Sequence, residues 1–173
     1  VGAGDVGASF AYALLQNGAA ENIVLLDARQ EQAEGQALDL SQGLPFVPAV
    51  AVRAGSADDY ADAAVIVITA GAKQKPGESR LNLLKRNARI VERIMGEVAA
   101  RESRAVVVIV SNPVDVLTFV ALKQTAWPRN RIVGSGTVLD SARFRRLLGE
   151  HCGVDVRNVH AYILGEHGDS EVP

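Results

Sequence analysis

Four stretches of this chain combine residue types that handle protons and anions. "GEHGDSE" sets His167 between two glycines just after an apolar run, where the ring can face a cleft. An imidazole gives and takes protons near neutral pH. "GTVLDSARFR" places Asp140 and Arg143 three residues apart, which is one face of a helix start. "AGAKQKPGESR" is a polar loop with Pro76 and Gly77 that contains Gln74 and ends at Arg80. "SNPVD" puts Asn112 at the carboxyl end of an apolar run, the edge where open α/β sheets bind ligands.

A fifth stretch opens the chain. In "VGAGDVG", Gly2, Gly4 and Gly7 are spaced G-x-G-x-x-G. Between a strand and a helix this spacing serves a dinucleotide: a tight turn, a close approach of backbone to a diphosphate, and close packing of helix on strand. The diphosphate then lies at a helix N-terminus, where free N–H groups and the helix dipole favour an anion. Asp27 ends "NIVLLD", twenty residues after Gly7. A carboxylate there accepts hydrogen bonds from an adenosine ribose and repels a 2′-phosphate, so NAD is expected over NADP. The plainer reading makes Asp27 a cap of the next helix.

The elements that must position these residues follow from hydrophobic periodicity. Helices are predicted over "ASFAYALLQNGAA", stopped by Gly18, and over "EQAEGQALDL". A third is predicted over "SRLNLLKRNARIVERIMGEVAA", with Leu84, Val91, Ile94, Met95 and Val98 on one face. A fourth is "NPVDVLTFVALKQ", with Asn112 as cap and Pro113 at the first helical position. The last is "TVLDSARFRRLLGEHCG". "NIVLLD", "AVAVRAG", "AAVIVITAGA", "RAVVVIVS" and "RIVG" read as strands, and "NVHAYILGEHGDSEVP" as a strand running into a turn. Apolar strands alternating with helices predict an α/β fold, a doubly wound parallel sheet covered on both faces.

Composition narrows the field. The net charge is −2 with acids and bases interspersed, which excludes a broad electrostatic attraction to nucleic acid. No apolar run approaches the roughly 20 residues that span a bilayer. Cys152 is the single cysteine, so no internal disulfide forms, and a reducing compartment is expected. Cys152 and His151 sit at a helix end and take no catalytic role. The chain reads as cut at both ends: it opens inside a first strand and stops after Pro173.

Taken together, "TAGAKQKPGESRLNLLKRN", "SNPVDVLT", "GSGTVLDSARFR" and "GEHGDSE" resemble the lactate/malate dehydrogenase family, in its L-lactate dehydrogenase branch, from end to end of the chain. The resemblance implies a dinucleotide-binding (Rossmann) domain over 1–135 and the beginning of an α+β substrate domain over 136–173. NAD is the implied cofactor, contacted at Gly2, Gly4, Val6, Gly7, Asp27 and Asn112. His167 is the implied proton carrier, with Asp140 holding its other ring nitrogen. Arg143 grips the substrate carboxylate by a two-pronged contact. Arg80 arrives with the closing loop and polarises the ketone, while Asn112 positions substrate and nicotinamide. The implied reaction interconverts pyruvate and L-lactate at the end of fermentative glycolysis, in the cytoplasm, in a homotetramer.

Gln74 bears on the substrate. Malate dehydrogenases resemble this sequence but typically place arginine at that position, opposite a second substrate carboxylate. Burying that charge unpaired costs several kcal/mol, so a neutral glutamine favours pyruvate by ~10³, with Lys73 and Lys75 turned outward. Arg145 and His160 match positions that hold fructose 1,6-bisphosphate across a subunit interface in allosteric bacterial relatives. The plainer reading leaves a solvated arginine and a strand histidine. The competing functions are a malate dehydrogenase and a non-catalytic NAD-binding protein that kept only the fold.

Overall fold

The computed structural model describes residues 1–173. Helix α1 (Asp5–Asn17) follows the glycine turn, and Gly18 ends it in the left-handed region (φ 57°), as the sequence predicts. Strand β1 (Asn22–Leu25), α2 (Gln30–Gln42) and β2 (Ala51–Ala54) complete a first unit. Strand β3 (Val65–Ile68), α3 (Arg80–Ala100), β4 (Val106–Ile109), α4 (Val114–Gln124) and β5 (Ile132–Gly134) form the second, followed by α5 (Val138–Cys152).

All strand pairs are parallel: β1 with β2, β3 with β4, and β4 with β5. Residues Val1–Ala3 join the two sheets. The Gly2 N–H donates to Leu26 O (2.7 Å), the Val1 nitrogen to Val67 O (2.7 Å), and Thr69 N–H to Val1 O (2.9 Å). Counting this run as a first strand gives the order 3-2-1-4-5-6, the doubly wound dinucleotide-binding arrangement.

Two apolar clusters fill the fold. One packs Ala11 and Leu15 of α1 and Ala33, Ala37 and Leu40 of α2 against Ile23 and Leu25 of β1. The other packs Val91, Ile94, Met95 and Val98 of α3, with Leu117 and Ala121 of α4, against Ile66, Ile68, Val107, Ile109 and Ile132. Val91, Met95, Val98, Val107, Ile109 and Leu117 are fully enclosed. Cutting such a leucine to alanine costs about 2–5 kcal/mol.

Three expectations need correction. Coverage of both sheet faces fails in the second half: Val65, Val106 and Val133 point away from α3 and α4 and are 56%, 37% and 46% exposed. Helix α4 starts one residue later than predicted, because Pro113 stays extended (φ −75°, ψ 118°) and itself takes the cap position. The Asn112–Pro113 peptide is cis. Finally, residues 158–173 form no ladder. A short 3₁₀ turn (Val156–Asn158) leads into extended backbone whose one pairing is an antiparallel bridge between Leu164 and Val172. No neighbouring strand offers a partner, so alternation along "HAYIL" does not become a sheet strand.

Candidate active site

The glycine turn, Asp27, the Gln74 loop, Asn112 and the start of α5 with Asp140 all follow carboxyl ends of the sheet's strands. In the glycine turn, Gly2 adopts φ +96°, and a Cβ there would lie 2.5 Å from Ala70 N. Gly7 is bare for contact with the strand: a Cβ would sit 1.9 Å from Gly2 O. Gly4 differs from both. Its backbone is extended (φ −79°, ψ −168°), and a Cβ there meets no protein atom within 4 Å. It caps α1 without a side chain, so the first-turn N–H groups of Asp5, Val6 and Gly7 have no side-chain acceptor. The start of α1, at Gly4 and Asp5, lines a groove of about 720 Å³ together with Gly2, Asp27, Tyr60 and Thr69.

Asp27 lies under the glycine turn. Its Oδ2 accepts from Ala3 N–H (2.8 Å) and its Oδ1 from Arg29 N–H (3.0 Å). It is not a side-chain cap of α2, whose cap residue is Arg29. The carboxylate is therefore fixed beside the groove with lone pairs to spare. An open cradle at Gly4, an uncapped helix N-terminus and a fixed acid fit a dinucleotide: the diphosphate at α1 and a ribose at Asp27.

The second constellation lies on α5. Thr137, Ser141 and Arg145 recur every four residues and pin the following segment to one face of this helix. Thr137 Oγ1 donates to Ile163 O (2.6 Å), Ser141 Oγ accepts from Ile163 N–H (2.9 Å), and Arg145 Nε donates to Val159 O (2.7 Å). The Leu164–Val172 bridge then closes a short loop bearing His167. That loop meets Asp140: His167 Nδ1 is 2.5 Å from Asp140 Oδ2. Asp140 Oδ1 also accepts from Arg143 Nη1 at 3.2 Å.

Burial differs across this trio. Asp140 is buried, His167 retains 29% of its side-chain exposure and Arg143 63%. The hydrogen bond from His167 holds the Asp140 carboxyl below the usual carboxylate range; burial opposes this, and the charges of His167 and Arg143 reinforce it. With Nδ1 committed to Asp140, the other ring nitrogen is left for a ligand. Glu171 brings a second carboxylate near, its ligand atom within 4.8 Å of those of Asp140 and His167, but the direct bond between Asp140 and His167 marks a proton-handling pair.

The other candidates stand apart from this trio. Arg80 begins α3 with its side chain exposed, behind a Ser79 cap whose Oγ accepts from Asn82 N–H (3.2 Å). Gln74 is exposed, and its Nε2 donates to Glu78 O (2.7 Å). The Glu78 carboxylate in turn binds Arg86 Nη1 (2.8 Å) and Lys75 N–H (3.0 Å). No hydrogen bond or ion pair joins Arg80 or Gln74 to the trio. Lys73 is exposed and pairs with Asp5 at 3.3 Å, and both line the groove. Asn112 is exposed and lies outside α4, so it is not the predicted helix cap. Of the two effector candidates, His160 is exposed. Arg145 is half-buried and tied to main-chain carbonyls, not solvated.

Sequence reasoning missed Asn87. It is buried on α3; its Oδ1 accepts from Ala72 N–H (2.8 Å) and its Nδ2 donates to Asn112 O (3.0 Å). One side chain thus ties the start of the Gln74 loop to the Asn112 turn. The signal was present, since Asn87 occupies the polar gap between Leu84 and Val91 in an otherwise apolar stripe.

Comparison with known proteins agrees with this geometry. Residues 1–134 match the profile of the lactate/malate dehydrogenase NAD binding domain, and residues 137–173 that of the family's alpha/beta C-terminal domain. The chain belongs to the lactate/malate dehydrogenase family. Its cofactor is NAD. Within the family it is 59% identical over 171 residues to an L-lactate dehydrogenase of Treponema denticola, covering 99% of this chain and 54% of that protein. It is 52% identical to one of Thermoanaerobacter sp. (strain X514), covering 99% of this chain and 55% of that protein. The chain therefore spans about half the length of the curated relatives it matches. Among solved structures, a lactate dehydrogenase from a Medee basin deep-sea metagenome library superimposes with a TM-score of 0.96 at 48% identity, covering 99% of this chain and 55% of that one. The minor L-lactate dehydrogenase of Enterococcus mundtii in its ligands-bound form gives 0.94 at 47% identity, covering 96% and 53%. No helix is long and apolar enough to cross a membrane.

Proposed function

We propose that the full-length protein is an NAD-dependent L-lactate dehydrogenase that converts pyruvate, NADH and a proton into L-lactate and NAD⁺, and the reverse. The observation that carries this reading is the Asp140–His167 pair with Arg143 beside it. Bound NADH supplies the hydride. His167, its Nδ1 held by Asp140, presents its other ring nitrogen to the keto oxygen and delivers the proton. Asp140 fixes the tautomer and carries the countercharge of the protonated ring. Arg143, largely exposed, is placed to hold the substrate carboxylate bidentately.

Arg80 and Gln74 act when their loop moves in: Arg80 stabilises charge developing on the substrate oxygen, and Gln74 meets the methyl end. Asn112, at the end of β4, positions substrate and nicotinamide. The likeness to bacterial L-lactate dehydrogenases supports carrying their setting into the proposal. That setting is a cytoplasmic homotetramer, with Arg145 and His160 contributing to a fructose 1,6-bisphosphate site. The domain division at 135/136 belongs to the same proposal.

The test follows absorbance of reduced nicotinamide with pyruvate and with oxaloacetate, each with and without fructose 1,6-bisphosphate. Pyruvate is expected to be preferred by ~10³, the selectivity of leaving a second carboxylate unpaired. Preference for oxaloacetate identifies a malate dehydrogenase. Turnover of neither identifies a non-catalytic NAD-binding protein.

A further inference from the structure

We propose that Asp115 is a positioning residue for the reaction, holding the main chain of His167 onto the cofactor-binding half of the molecule. The inference rests on the lactate dehydrogenase reading and names a residue that reading does not use. Asp115 Oδ2 accepts from the backbone N–H of His167 at 2.9 Å, across 52 residues of sequence. It is the one hydrogen bond or ion pair between residues 1–134 and 137–173, and it falls on the histidine that moves the proton.

The support behind Asp115 is rigid. It sits in the first turn of α4, where the helix dipole favours a carboxylate. Val114, Leu117 and Ala121 seat that helix in the core at 2%, 0% and 0% exposure. The same helix begins two residues after Asn112, so the Asn112 turn and the His167 backbone are referenced to one element. Asp140 orients the ring through Nδ1, and Asp115 fixes where the ring is mounted. Two carboxylates on two different helices thus hold one histidine at two points. The loop carrying it has no sheet ladder to stiffen it beyond the single Leu164–Val172 bridge. Losing the Asp115 contact leaves the Asp140–His167 pair intact but free to drift relative to the cofactor, and a displacement of about 1 Å can cost up to ~10²-fold in rate.

The experiment compares Asp115→Ala and Asp115→Asn in the full-length protein by kcat for pyruvate, NADH dissociation constant from nicotinamide fluorescence, and the pH profile of kcat/KM. In D115A, kcat is expected to fall by about 10- to 100-fold, with NADH affinity and the pH midpoint unchanged, since the groove and Asp140 are untouched. D115N keeps an acceptor oxygen at the same reach, so it is expected to regain most of the lost kcat. Should D115A fail to bind NADH, D115S, whose hydroxyl suits a helix start but falls short of the His167 N–H, carries the same expectation. A kcat for D115A equal to that of the parent overturns the proposal. So does an equal loss in D115A and D115N, which assigns the effect to charge. A shifted pH midpoint overturns it too, by showing that Asp115 acts on the proton itself. A parent protein inert to every 2-keto acid overturns the lactate dehydrogenase reading and this inference together, which separates the two failures.

Discussion

Gly4 and Gly7 are three residues apart in one motif, yet the structure predicts opposite consequences for the same substitution. In Gly7→Ala the new Cβ lies 1.9 Å from Gly2 O, against an ordinary carbon–oxygen contact of about 3.3 Å. Helix α1 must retreat from the strand by about 1.4 Å, measured against that contact distance. Overpacking against backbone costs about 1–3 kcal/mol or more, which lowers Tm by about 2–4 °C per kcal/mol in a domain of this size. In Gly4→Ala the backbone is already extended at φ −79° and no protein atom lies within 4 Å. The folded chain accepts the methyl, and the loss of unfolded-state freedom stabilises it by about 0.4–1 kcal/mol. That methyl instead enters the groove at the uncapped start of α1, where the diphosphate approaches. The same overpacking penalty, about 1–3 kcal/mol, now falls on the complex and weakens NADH binding by roughly 5- to 150-fold. Thermal melting and NADH fluorescence titration of both variants in the full-length protein separate the two. Gly7→Ala melts lower; Gly4→Ala melts at or above the parent and binds NADH poorly. A Gly4→Ala protein with parental NADH affinity would refute the placement of the diphosphate at α1.

Three further predictions concern the rest of the site. Gln74→Arg should move the kcat/KM ratio toward oxaloacetate by ~10²–10³, because the arginine pairs the second carboxylate; an unchanged ratio places Gln74 outside the specificity contact. For Asp140→Asn, the depressed carboxyl pKa means that Asp140 contributes stability fully above its unfolded pKa of about 3.9 and loses it as pH falls through the folded value. The stability gap between parent and variant, read from urea midpoints below about pH 5, should therefore close as pH falls further; a gap that widens in that range would be the wrong sign. Asn87→Leu should destabilise by about 2–4 kcal/mol, leaving the Ala72 N–H and the Asn112 carbonyl unpaired, and should also raise KM for pyruvate by loosening both loops; lowered stability with parental KM would confine Asn87 to a packing role.

Residue types on the sequence carried the chemistry far, because periodicity and spacing report local geometry directly. Gly18 as a helix stop and the Asp140–Arg143 pair are both consequences of contacts within a few residues. What the sequence concealed depends on distant partners. Asn87 breaks an apolar stripe, but nothing local says that it spans Ala72 and Asn112. Thr137, Ser141 and Arg145 recur at four-residue spacing, but their partners, Val159 and Ile163, lie 14–26 residues away. The strand predicted across His160 failed for the same reason: alternation specifies which faces are apolar, whereas a ladder needs a neighbour.

The placement of the chemistry follows from the parallel sheet itself. When every strand runs the same way, all carboxyl ends share one edge, and each connection from that edge to a helix exposes a helix N-terminus there. Val1–Ala3 leads to α1, β3 to the Gln74 loop and α3, β4 to Asn112 and α4, and β5 to α5. That edge consequently gathers positive helix ends, suited to a diphosphate and a keto acid, both anionic. The first-turn acids of α4 and α5, Asp115 and Asp140, are both turned onto His167, one on its main chain and the other on its ring. The helix ends that draw anions to this edge thus also seat the carboxylates that hold the one group positioned to exchange a proton with them. Moving either acid by a single residue, about 100° around its helix, would break that hold while leaving the local helix propensity unchanged.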